Sequence, residues 1–102
     1  EGIEIYHKES SIDIPAPKSQ EQEVLYELIC RDKIDRVVMI NKCHIWNLTA
    51  RISDLRNRFG NNFITSNKIS GLNKFNREVE FVNYSLQNKE IAIYNYLKMV
   101  NS

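Results

Sequence analysis

The sequence predicts an α+β fold of three helices, a two-stranded β-hairpin and an added C-terminal helix. Three observations carry this expectation. Residues 46–59 hold an apolar stripe at helical spacing, closed by Gly60. Two β-branched and aromatic runs, 62–69 and 79–86, flank a polar basic loop. Positive charge gathers in the middle of the chain.

At 102 residues the chain has room for one domain with short extensions. Its 42% hydrophobic and 26% charged residues suit a folded domain and exclude a wholly disordered one. No apolar run approaches the ~20 residues that span a bilayer. Glu1-Gly2-Ile3-Glu4 has neither the basic start nor the apolar stretch of a signal peptide, and with no initiator Met the chain reads as trimmed, as processed or as one whose first residues are unseen. A cytoplasmic location, in a bacterial host cell, is the expectation.

Residues 1–18 place Ile between polar residues at 3–5 and 12–14 and end in Pro15-Ala16-Pro17. This reads as an extended N-terminal arm or linker, because the prolines exclude a helix. The domain proper is expected over 19–87. Ser19 with Gln22 forms a capping-box signal, and Val24, Leu25, Leu28 and Ile29 follow on one face, giving a first helix near 20–31. Residues 32–45 are ambiguous. Val37-Val38-Met39-Ile40 suits a buried strand, yet Asp35 offers a cap and another helix follows closely, which favours a short helix over about 35–42. Cys43-His44-Ile45 is then a tight turn. In Trp46–Phe59, Leu48, Ile52, Leu55 and Phe59 step by four, three and four, and Arg56 and Arg58 complement the helix C-terminus. The 88–102 segment opens on Asn88 as a cap and aligns Ile93, Tyr94, Leu97 and Val100. It reads either as a helix folded onto the core or as a dimerisation helix.

Charge is uneven. Residues 1–32 carry three Lys/Arg against eight Asp/Glu, 33–77 nine against two, and 78–102 two against three. A basic middle between acidic flanks is the footprint of a segment that meets phosphate, although a solvated face can carry the same sign by accident. The order helix, short helix, turn, helix and hairpin is that of a winged helix-turn-helix. In that design one helix enters the DNA major groove, a preceding helix braces it, and the hairpin wing reaches the backbone.

With the apolar stripe inward, the helix at 46–59 presents Trp46, Asn47, Ala50, Ser53, Asp54 and Asn57 outward at about 100° per residue. Thr49 and Arg56 lie on one flank, Arg51 and Arg58 on the other. The expected DNA-contacting residues are Asn47, Thr49, Arg51, Ser53, Arg56, Asn57 and Arg58 on the helix, with Lys68, Asn73, Lys74 and Arg77 on the wing. Asn57 suits adenine and Ser53 several bases. Asp54 repels phosphate and is read as a helical partner of Arg51 or Arg58. Trp46 is read as a core or staple residue, and Arg56 also as a structural partner of the first helix's acids.

The stretch HIWNLTARISDLRNRFG (44–60), followed by FITSNKISGLNKFNREVEFVNYSL (63–86), resembles the winged helix-turn-helix domain of small bacteriophage and prophage proteins. Arg51, Ile52, Asp54, Leu55 and Arg56 match that family's Arg-Ile-x-Asp-Leu-Arg core. Ile64, Gly71, Asn73, Val79, Tyr84 and Leu86 match its strands and wing. The likeness spans about 20–86. Cys43-His44 stands where the family often has Gly or a small residue, and Phe75-Asn76 interrupts the usual wing. The resemblance implies phage origin and DNA binding, as a regulator or an excisionase-like architectural factor.

Double-stranded DNA is therefore the expected partner, a second copy through the C-terminal helix another. The alternative function is a protein-interaction module, an inhibitor or adaptor of host machinery, with a host protein as partner. No nucleophile with its base and no Gly-rich phosphate loop stands in the sequence, so neither catalysis, a cofactor nor a small-molecule substrate is expected. Cys30 and Cys43 read as buried free thiols. With His7 and His44 isolated, the ligand set for a zinc ion is missing from the pattern.

Overall fold

Ser19 starts the first helix, α1 (Gln20–Arg31), by accepting a hydrogen bond from the Gln22 amide at 3.2 Å. The computed structural model describes residues 14–101. Residues 1–13, and with them most of the expected arm and His7, lie outside the described residues. Val24, Leu25, Leu28 and Ile29 bury the inner face of α1 as their spacing predicts. Each such side chain is worth about 1.5–3 kcal/mol of burial.

The chain then makes a strand that the sequence reading missed. β1 (Lys33–Asp35) pairs antiparallel with β3 (Glu78–Leu86), and Ile34 faces Tyr84. The sheet therefore has three strands, not the two of the expected hairpin. The reason is local. Asp35 caps α2 (Arg36–Cys43) by accepting from the Val38 amide at 2.9 Å, and its own backbone is extended at φ −140° and ψ 179°. An N-cap needs that extended conformation anyway, and buried Ile34 beside it anchors the same backbone as a strand. Three residues are too few to show a period of two.

Val37-Val38-Met39-Ile40 is helical, as favoured, but only Met39 is fully buried and Val37 is exposed. α2 stops at His44, whose left-handed backbone (φ 56°, ψ 34°) turns the chain. The amides of His44 and Ile45 bond the carbonyls of Ile40 and Met39 at 3.0 and 3.1 Å. Those bonds satisfy carbonyls that a helix end leaves open.

α3 (Leu48–Phe59) begins two residues later than the sequence suggested, leaving Trp46 and Asn47 in the turn. Leu48, Ile52 and Leu55 are buried, and half-buried Phe59 meets Phe63 with ring centroids 4.8 Å apart. Gly60, at φ 112°, ends the helix and bonds the Arg56 carbonyl at 2.7 Å.

β2 (Ile64–Leu72) and β3 pair from Ile64↔Leu86 to Leu72↔Glu78, so the sheet order is β1-β3-β2. The turn between them is only Asn73–Arg77, shorter than the nine-residue loop expected. The outer half of the hairpin is solvent-exposed, so its pairing leaves no alternating hydrophobic signature.

α4 (Lys89–Val100) starts at Asn88, which accepts from the Ile91 amide at 3.1 Å. It folds onto α1, but its buried stripe is Ala92, Tyr96 and Val100 rather than the expected Ile93, Tyr94, Leu97 and Val100. Tyr96 sets this rotation. Its hydroxyl donates to the Pro15 carbonyl at 2.6 Å, and its ring lies 5.9 Å from that of Tyr26. Ile14 packs on the core and Lys18 donates to the Val100 carbonyl at 2.9 Å. Residues 14–18 are thus part of the packed domain, not of a free arm.

Candidate nucleic-acid interface

The buried stripe of α3 fixes which side of that helix faces solvent. Thr49, Ser53 and Asn57, four residues apart, form an exposed polar line opposite the core. Ala50 and Asp54 sit at its half-buried edge. Asn47 is exposed at the N-cap position but makes no side-chain capping bond. Trp46 is 69% exposed and so is not the core or staple residue it was read as. The buried Ile45 beside it already fills the core at that point.

The three arginines of α3 are each engaged within the protein. Arg51 pairs with Asp54 at 3.3 Å, the helical pairing read from the sequence. Arg56 donates from Nε and Nη2 to the Ile64 carbonyl at 3.2 and 2.8 Å, and from Nη2 to Ser66 Oγ at 2.8 Å. It fastens α3 to β2, not to the acids of the first helix. That link belongs to Arg58, whose Nε and Nη2 each meet a carboxylate oxygen of Glu21 at 3.1 Å. The two residues are 37 apart in sequence, beyond any helical pairing rule, and meet because α1 and α3 pack side by side. Glu21 holds the Arg58 guanidinium charged even more firmly than usual, through hydrogen bonding first and charge second. Glu21, Asp54, Asn57 and Arg58 line an open cleft beside the exposed line.

The hairpin carries Lys74 and Arg77 in its turn and Lys68 midway along β2. Lys68, Lys74 and Arg77 are exposed. Asn73 serves the turn itself, accepting at Oδ1 from the amides of Phe75 and Arg77 at 2.8 and 3.0 Å. Lys74 Nζ lies 5.2 Å from the centroid of the Phe75 ring, and Phe75 is 72% exposed. On the sheet face away from the helices, Asn67 donates to Asn83 at 3.0 Å, and Ile69 and Phe81 stand directly opposite each other, both exposed.

Sequence reasoning missed Arg36 and Lys42, exposed cations of α2, and the exposed apolar residues of the hairpin. A phenylalanine inside an otherwise polar loop was the available signal for Phe75. Cys30 and Cys43 are half-buried rather than buried, and neither is in a disulfide. Burial pushes the Cys43 thiol up, helped by the charges of Glu27 and Glu23, so it stays protonated at neutral pH. Among the described residues no cluster of three or more His, Cys, Asp or Glu gathers to hold a metal ion. No helix among them is long and apolar enough to cross a membrane.

Comparisons with protein-family models, curated proteins and solved structures return no match. The likeness to the phage domain thus rests on the residues quoted for it.

Proposed function

We propose that the chain is a DNA-binding protein of a phage or mobile element with a winged helix-turn-helix fold. The observation that carries this reading is the path α1-β1-α2-α3-β2-β3 with sheet order β1-β3-β2. That path leaves the polar line of α3 and a cation-tipped hairpin both open to solvent. Thr49, Ser53 and Asn57 are small or amide side chains suited to base edges, Asn57 above all to adenine. Asn47 extends the line at its N-terminal end. Lys68, Lys74 and Arg77 neutralise phosphate, and Arg36 and Lys42 on the bracing helix add exposed positive charge. Arg51 and Arg58 take phosphate only by exchanging their acidic partners, while Arg56 positions α3 against the wing. The protein works in the cytoplasm of the bacterial host as a regulator or architectural factor.

An electrophoretic shift on duplex DNA tests this. With about four phosphate contacts, affinity falls about a hundredfold between ~50 and ~200 mM salt. Retention of full affinity by the K74A/R77A and S53A/N57A variants would sink the proposed surface.

Two observations favour a second reading, a protein-binding module acting on host machinery. The α3 arginines are internally paired, and Ile69 and Phe81 expose an apolar patch on the sheet. A host protein captured from lysate after nuclease treatment, released by F81S and accompanied by no DNA shift, would support it. A homodimer through α4 would use its exposed Ile91 and Tyr94. Sizing of an I91S/Y94S variant tests that without touching the buried stripe.

A further inference from the structure

We propose that Phe75 is a wedge: it enters the minor groove and partly unstacks one base step, bending the duplex. This rests on the DNA-binding reading above. Phe75 stands at the apex of the wing with 72% of its surface exposed, although an aromatic ring gains from burial more than almost any side chain. Its mount is rigid. The Asn73 carboxamide accepts from the Phe75 and Arg77 amides at 2.8 and 3.0 Å, and the Asn73 amide bonds the Arg77 carbonyl at 3.0 Å. Asn76 completes the turn with φ 63°, a left-handed conformation that asparagine tolerates. These bonds fix the backbone of the turn, so insertion costs only the side-chain freedom of the ring itself.

Charge flanks the ring on both sides in sequence. Lys74 and Arg77 carry the positive charge of the turn, while the acidic Glu78 and Glu80 lie below it on β3. Lys74 Nζ rests 5.2 Å from the ring centroid, so this cation leaves the ring for a phosphate as the ring enters the groove. The cations engage the phosphates of the two strands, and the ring enters where stacking is weakest. Pyrimidine–purine steps such as TA unstack most easily, so they are the expected point of insertion. The ring takes no hydrogen bond from a base, so the contribution is to shape rather than to base identity.

The test uses the full chain and a duplex of about 30 base pairs with a central TA step. The duplex carries a fluorescent adenine analogue at that step and a donor–acceptor dye pair at its ends. On binding, the analogue brightens as it unstacks, and the end-to-end distance shortens. F75A and F75S, which alter only an exposed ring, keep the circular dichroism of the parent. They bind about tenfold more weakly, the worth of one base–aromatic stack, and show neither signal. K74A/R77A loses affinity, yet at saturation retains both signals. A parent that binds DNA without brightening or bending, or an F75A variant with unchanged signals, overturns the wedge and leaves the DNA-binding reading intact. A parent that binds no duplex at low salt overturns both.

Discussion

Arg58 on α3 and Glu21 on α1 form a two-point ion pair, with both nitrogen–oxygen distances at 3.1 Å. Glu21 is largely covered while Arg58 keeps about half of its side chain exposed, at 17% and 53%. A phosphate arriving at α3 therefore competes with Glu21 for the same guanidinium. Removing the acid's charge should favour the phosphate. E21Q is expected to bind duplex DNA about threefold more tightly at low salt, as the loss of one nearby negative charge dictates. The gain should shrink as salt is added. Stability should fall by less than about 1 kcal/mol, because the pair is partly exposed. Filter binding at several salt concentrations checks the affinity, and an unchanged or weaker complex would remove Arg58 from the interface.

Arg56 and Asn57 are neighbours in sequence with opposite expected roles. R56A breaks the bonds to the Ile64 carbonyl and Ser66 that hold α3 to β2, so it should cost about 1–3 kcal/mol in urea unfolding. N57A removes an exposed side chain from the polar line and should leave stability within about 0.5 kcal/mol. On a selected DNA site N57A should lose about tenfold in affinity, the worth of one amide–adenine contact. Equal effects of the two variants on stability would contradict the division.

Much of this arrangement was legible in the sequence, and the parts that were not share a cause. The caps at Ser19, Asp35 and Asn88 all hold, because an N-cap is set by a few adjacent atoms. The stripe Leu48, Ile52 and Leu55 holds because a helix repeats regularly. β1 was missed because a three-residue strand exists only through its pairing with β3, a contact some fifty residues distant. The rotation of α4 was misjudged for the same kind of reason. Tyr96 is drawn inward by Pro15, and nothing near it in sequence says so. At the site, the exposure of Ser53 and Asn57 followed from periodicity, whereas Thr49, expected on a flank, is exposed and Ala50 and Asp54, expected outward, are half-buried. The partners of Arg56 and Arg58 did not, since they depend on how α3 lies against α1 and β2.

His44 ends α2 in the left-handed conformation that glycine adopts without cost. Its side chain is exposed, so no packing compensates. H44G should therefore stabilise the domain by about 0.5–1 kcal/mol, with strain relieved in the folded state outweighing freedom gained in the unfolded one. A rise of about 4 °C in Tm by calorimetry is the expected reading for a domain of this size. A fall in Tm would mean that His44 contributes a contact worth more than the backbone relief.

Tyr96 makes folding sensitive to alkali. Burial, and then the charges of Tyr26 and Cys30 when ionised, pushes its phenol up to about 12 from an ordinary 10.0. The folded chain holds this proton more tightly than the unfolded one. The stabilisation is therefore complete below about pH 10 and lost as pH rises towards about 12. Two units correspond to about 2–3 kcal/mol for a fully buried ring. Tyr26 is shifted in the same direction, chiefly by burial, and adds to the alkaline loss. Y96F removes the titrating group together with its bond to Pro15. It should be about 1 kcal/mol less stable at neutral pH, yet lose less stability than the parent on going from about pH 9 to about pH 12. Urea unfolding across that range measures both, and parallel curves for parent and Y96F would show that the phenol does not set the alkaline limit.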